Sequence, residues 1–244
     1  MKTKPFLLFA LIAFAVVGAF GQDRMYQKEF AVDPGARFTL DSYKGKIVIR
    51  TDKAPVIRVN ARIYGSRPET DNYGIIEHAT RNMVSLEGKY SGQSGSISGN
   101  MPSADWNITL PDTVELVLKT YKSEIDISVP SGRVLIESYK GTGMVRGVSN
   151  NFKLDTYKGS FNIEISRLAD LDIDTYKGDI SLVIFEPGDF SLRGSSYKGN
   201  FNFKGLAVPV ERKRDSTEVF FTKGSGRSRI DLSTYKGTYN VDFR

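Results

Sequence analysis

Five Tyr-Lys pairs recur through the middle of the sequence: Tyr121-Lys122, Tyr139-Lys140, Tyr157-Lys158, Tyr176-Lys177 and Tyr197-Lys198. Evenly spaced cations can meet the charges of an anionic polymer, and tyrosine faces can pack on sugar rings or apolar surface. These ten residues are the candidate ligand-binding set. Two residues before three of the tyrosines stand Glu137, Asp155 and Asp174. On neighbouring strands these carboxylates come to lie about 5 Å apart, the separation at which retaining glycosidases hold their catalytic pair. An outward row with lysines nearby and no evident cleft is poor ground for catalysis, so a non-enzymatic surface is the expectation. His78 is the only histidine and cysteine is absent, which argues against a transition-metal site. Asp172 and Asp174 alone are too few ligands for calcium. Gly141 to Gly147 has the wrong spacing for a phosphate loop and no following helix. No cofactor is called for.

The pairs belong to a longer repeat. Each is preceded by Ser or Thr and followed by Gly, or by Ser123 in one copy, and the tyrosines are 18, 18, 19 and 21 residues apart. Two outlying copies are Ser42-Tyr43-Lys44-Gly45 and Thr234-Tyr235-Lys236-Gly237. Apolar residues stand three and five before the tyrosine (Leu118 and Leu116; Leu154 and Phe152) and four and six after it (Ile125 and Ile127; Phe161 and Ile163). That is period-two alternation on both sides, with one residue of phase lost inside Tyr-Lys-Gly. Each unit therefore reads as strand, corner, strand, with glycine supplying the permissive backbone. Units of this length are too short for a strand-helix-strand crossover. The expectation is an all-β chain, a parallel β-solenoid of two-strand coils stacked about 4.8 Å apart. An antiparallel sandwich is the rival.

Lys2 and Lys4 precede an apolar run from Phe6 to Phe20, and Ala19-Phe20-Gly21 resembles a cleavage site. Residues 1–21 are thus expected to be a secretory signal peptide, leaving no transmembrane segment. Residues 22–244 form one domain with regular repeats from 114. The destination is the periplasm, the cell surface or the extracellular space. Without cysteine an exported chain has no disulfides, and stability comes from stacking. The net charge of +6, lower once the leader is removed, is too weak to argue for nucleic acid. Residues 65–75 and 91–103 read as loops. A unit that has lost its motif lies between Phe203 and Ile230, with Glu211 to Arg214 as a surface excursion.

A strand ending in proline (Trp106 to Pro111), a Val-Glu-Leu-x-Leu-x-Thr strand (Val114 to Thr120) and the tandem units after it resemble the DUF4097 family, bacterial adhesin-type proteins with a β-strand repeat. The resemblance covers about residues 36–244. It implies an adhesive role, and with the Tyr-Lys row the expected partner is an anionic or neutral surface polysaccharide or an envelope protein. Tyr-Lys in every recognisable copy departs from the family, whose members usually carry variable polar residues there. Two ammonium groups at strand spacing repel by about 0.9 kcal/mol in water, so something should offset the lysine row. The expectation is lysine stems over tyrosine rings, with Asp41, Glu137, Asp155 and Asp174 neutralising the heads. A passive envelope scaffold without ligand, and a polysaccharide-acting enzyme using the carboxylate row, are the alternatives.

Overall fold

The computed structural model describes residues 23–66, 70–91, 101–128 and 131–244. The expected signal peptide and most of the Gly/Ser-rich stretch lie outside the described residues. The fold is all β, and its strands join in one mixed sheet. At its centre are six long strands: β2 (Arg37–Asp52), β7 (Glu115–Ser128), β8 (Val134–Val148), β9 (Phe152–Ile165), β10 (Leu171–Ile184) and β15 (Ser228–Phe243). Each pairs with the next in parallel, and the motif copies fall in register.

The predicted phase slip is present. In β9, Phe152, Leu154 and Thr156 are buried, Tyr157 and Lys158 are both exposed, and Phe161, Ile163 and Ile165 are buried again. The strand is not interrupted there. Its ladder bonding resumes beyond the corner, so the chain changes the face it buries without leaving the sheet.

The slip divides each long strand into halves that take different neighbours at the N-terminal end. The first half of β2 pairs with β5 (Met83–Tyr90) and the second half with β6 (Ser103–Pro111). Apolar side chains of the two halves meet in a single core. Trp106 Nε1 donates to Ser42 Oγ at 2.9 Å, and the Tyr239 hydroxyl lies 2.8 Å from the carbonyl oxygens of both Ile173 and Ser233. Volume is conserved between neighbouring strands. A Cβ at Gly143 would stand 2.4 Å from the Phe161 ring, and one at Gly194 would stand 3.2 Å from Phe201. Where the repeat loses an apolar residue, an adjacent aromatic fills the space, as close packing requires.

Both ends depart from the parallel pairing expected of stacked coils. At the N-terminal end β1 (Arg24–Ala31), β3 (Val56–Tyr64) and β6 pair antiparallel, and β4 (Tyr73–Ala79) pairs antiparallel with β5. β4 begins inside the expected 65–75 loop because Tyr73 is buried opposite Tyr90. At the other end, the stretch expected to be a coil without its motif is instead β13 (Glu211–Arg212) and β14 (Thr217–Lys223). β14 pairs antiparallel with β11 (Phe190–Ser196). It covers the outer edge of β11, and the chain returns on the inner side. β15 therefore lies between β10 and the pair β11 and β12 (Asn200–Lys204). The expected order, with the Tyr197 copy beside the Tyr176 copy, is corrected: the last copy in sequence is the neighbour of the fourth regular one.

Candidate functional site

Residue zero of each phase slip is a tyrosine aimed at solvent. In-register pairing then forces the rings into one file, in the order Tyr43, Tyr121, Tyr139, Tyr157, Tyr176, Tyr235, Tyr197. Neighbouring centroids are 4.8 to 5.1 Å apart and no two adjacent planes differ by more than 11°. Six of the seven rings are 36 to 45% exposed. All five predicted tyrosines are therefore together, and Tyr43 and Tyr235 are full members of the file rather than outliers. Their motif was readable in the sequence, but their adjacency follows from strand order.

Lys44, Lys122, Lys140, Lys158, Lys177 and Lys236 pair in register alongside, and Lys198 donates its backbone N–H to the Tyr235 carbonyl at 2.8 Å. Five of the seven ammonium groups lie over the ring of the tyrosine that precedes them: Lys140, Lys158, Lys177, Lys198 and Lys236, at 5.3 to 5.5 Å from the centroid. This is the cation–π arrangement expected to offset lysine crowding. The expected carboxylate neutralisation takes a different form. Among the described residues Glu137 pairs with Lys119, at 3.0 Å, and not with a lysine of the file. Lys119 belongs to the site although no repeat position marks it as basic. It stands two before Tyr121, so it falls in the carboxylate row between Asp41 and Glu137.

Glu137, Asp155 and Asp174 are strand neighbours as expected. Burial and then the adjacent Asp174 push the Asp155 carboxyl up, against the pull of Lys153. Burial and then Glu87 do the same to Asp41. Lys153 is engaged by Asp172 at 2.8 Å. A shallow groove of about 420 Å³ runs between this row and the tyrosine file, lined among others by Asp41, Lys119, Tyr121, Glu137, Tyr139 and Asp155. On the opposite flank a second groove of about 490 Å³ is lined by Lys44, Lys122, Lys140, Ser103, Glu124 and Thr142. His78 is solvent-exposed on β4, opposite Ser85. Among the described residues no cluster of three or more His, Cys, Asp or Glu is placed to hold a metal ion, and no helix is long and apolar enough to cross a membrane.

Beneath the rings the backbones run close. A Cβ at Gly159 would lie 2.1 Å from the Gly141 carbonyl oxygen, at Gly178 1.7 Å from that of Gly159, and at Gly237 1.9 Å from that of Gly178. Only Gly45 and Gly178 among the corner glycines also have positive φ. The glycines are thus needed less for a turn than for the approach of one backbone to the next. One residue before each tyrosine, a small hydroxyl faces inward. Ser42 accepts from Trp106 and Thr120 bonds Ser123, while those of Ser138, Thr156, Thr175, Thr234 and Ser196 are buried with no hydrogen-bond partner among the described residues.

This geometry alters what the file can offer a ligand. Inside it, each ring has another ring on either side at 4.8 to 5.1 Å, too close for a sugar to enter between them. What remains accessible is ring edges, phenol hydroxyls and lysine ammonium groups at strand spacing.

Residues 89–242 match the family model described as Toastrack DUF4097. Among solved structures, a "putative cell adhesion protein" from Clostridium sporogenes is 15% identical, with 91% of this chain and 100% of that chain covered and a TM-score of 0.46. A "putative adhesin" from Bacteroides fragilis is 13% identical, with 91% and 97% covered and a TM-score of 0.26. A "putative lipid binding protein" from Parabacteroides distasonis is 11% identical, with 89% and 96% covered and a TM-score of 0.28. No curated protein matches the chain. The chain belongs to the DUF4097 family.

Proposed function

We propose that this member of the DUF4097 family is an exported, non-enzymatic binding module, a β-solenoid in which the last coil is threaded between earlier ones. Its binding face is the Tyr-Lys file, and its ligand is an anionic polymer of a cell surface. The observation that supports the reading is the uninterrupted run of seven stacked tyrosines with in-register lysines on the outer surface. Rings spaced too closely to admit a sugar between them favour charge over sugar stacking, so anionic polymers rank above neutral ones. A repeated ligand on a repeated surface gains avidity without any strong single site. Five of the seven lysines lie against rings, a contact that leaves their charge available to an incoming anion.

The test is binding of the chain to anionic and neutral polysaccharides at low and at high salt. Binding restricted to the anionic polymers, weakened by salt and lost in Lys140→Gln/Lys158→Gln/Lys177→Gln without a change in melting temperature, supports the reading. Binding that is indifferent to salt and to these substitutions overturns it, and so does no binding at all; the latter outcome leaves a passive scaffold.

A further inference from the structure

We propose that the tyrosine file is a site of oxidative cross-linking, at which a one-electron oxidant of the peroxidase and hydrogen peroxide class joins neighbouring strands through dityrosine bonds. The inference stands independently of the polymer-binding reading.

Three conditions must hold for two tyrosines to couple. The oxidant must reach the rings, the rings must be neighbours, and their ortho carbons must be free to meet. The file satisfies all three. The rings of Tyr121, Tyr139, Tyr157, Tyr176, Tyr197 and Tyr235 are exposed. Each has a second tyrosine within 4.8 to 5.1 Å. Adjacent rings are nearly parallel, so each ortho carbon stands beside that of the next ring. Rotation about χ2 of tyrosine is soft, so two neighbouring rings can turn edge toward edge, which draws those carbons closer, and a shift of the side chains about χ1 closes the remaining gap. Competing sinks for the radical are few: the chain has no cysteine and its one tryptophan, Trp106, is buried.

The step balances. Each of two phenols loses one electron to the oxidant and its proton to solvent, giving two phenoxyl radicals. The radicals combine in a carbon–carbon bond between ortho positions, and the hydrogen on each of these carbons moves to its oxygen to restore the phenols. The protein loses two hydrogen atoms in all, and one peroxide is reduced to two waters. The bonds join residues far apart in sequence, above all Tyr43 to Tyr121 and Tyr176 to Tyr235. In a chain that cannot form disulfides they would act as a disulfide does, by restricting the unfolded state.

The experiment treats the folded chain with a peroxidase and hydrogen peroxide, follows dityrosine fluorescence, and maps the linked peptides by mass spectrometry. The expected result is cross-linking within single chains, at a rate independent of protein concentration. Links should join Tyr176 to Tyr235 and Tyr235 to Tyr197, with none between Tyr176 and Tyr197. In Tyr121→Phe/Tyr157→Phe/Tyr235→Phe the stack is kept but no two tyrosines of the file are adjacent, and the yield should fall at least tenfold. Links formed between chains at a rate that scales with concentration, links centred on Tyr64 and Tyr90 outside the file, or an undiminished yield in the triple variant would each overturn the proposal. Should the triple variant not fold, the peptide map of the unsubstituted chain decides the matter.

Discussion

Tyr235 stacks on Tyr176 with centroids 4.8 Å apart and planes within 2°, although the Tyr197 copy lies between them in sequence. The contact records how the chain closes. β14 takes one edge of β11 and β15 takes the other, so the final strand completes the interior of the sheet. It pairs with β10 from Leu171 opposite Ile230 to Ile184 opposite Phe243. A strand inserted in this way is buried on two edges and carries fully covered side chains, among them Tyr239 and Ile230.

The stack itself should contribute to stability. Tyr235→Ala removes two ring contacts and is expected to cost about 1 to 3 kcal/mol, from about 0.5 to 1.5 per aromatic pair. Lys236→Ala should cost less than about 0.5 kcal/mol, as for an exposed side chain with one weak contact. Urea denaturation of the two variants gives the comparison. Equal losses would mean that a lysine contributes as much to the file as a ring does.

Gly178 combines a φ of +152° with a Cβ position 1.7 Å from the Gly159 carbonyl oxygen. Gly178→Ala is therefore expected to destabilise by about 3 kcal/mol or more, since backbone on the adjacent strand must shift. Gly35 also has positive φ but open space around its Cβ position, and Gly35→Ala should cost only about 1 kcal/mol. Thermal unfolding of the two variants separates close approach from backbone conformation.

Asp126 ties three strands together, with Arg50 at 2.6 Å and Arg146 at 3.0 Å. The hydrogen bond from Arg50, more than that from Arg146, holds its carboxyl below the usual range. A depressed folded-state pKa gives stability that is present above the ordinary carboxylate pKa and lost as pH falls through the lowered one. Asp126→Asn should cost about 1 kcal/mol at neutral pH, given partial solvent screening, and should flatten the acid limb of the stability curve. An unchanged acid limb would show that the pair carries no net stability.

Asp155 has the opposite sign. Its carboxyl is raised by burial and by Asp174, so the folded chain binds the proton more readily than the unfolded one. This stability is full below the ordinary carboxylate pKa and is lost as pH rises through the raised value. Asp155→Asn should therefore be a few tenths of a kcal/mol more stable than the parent at neutral pH, after solvent screening, and the difference should vanish in acid. Melting temperatures measured from acidic to neutral pH check the sign.

The local features of the fold were legible in the sequence because they rest on period-two alternation, which the backbone imposes on every strand. The parity change around Tyr157 placed Phe152, Leu154, Phe161 and Ile163 in the core, and their burial agrees. Parity alone does not decide whether the tyrosines point outward or tuck into the corner, since the slip can fall on either side of them. The structure puts both Tyr157 and Lys158 in solvent, because the slip falls after Thr156. Which strands become neighbours is a non-local matter, decided by which sheet edges remain free. That is why the place of Tyr235, the entry of Lys119 into the carboxylate row and the close spacing of the interior rings came only with tertiary structure. The corner glycines illustrate the boundary: their positions were plain in the repeat, but the carbonyl that excludes a side chain at Gly178 belongs to another strand.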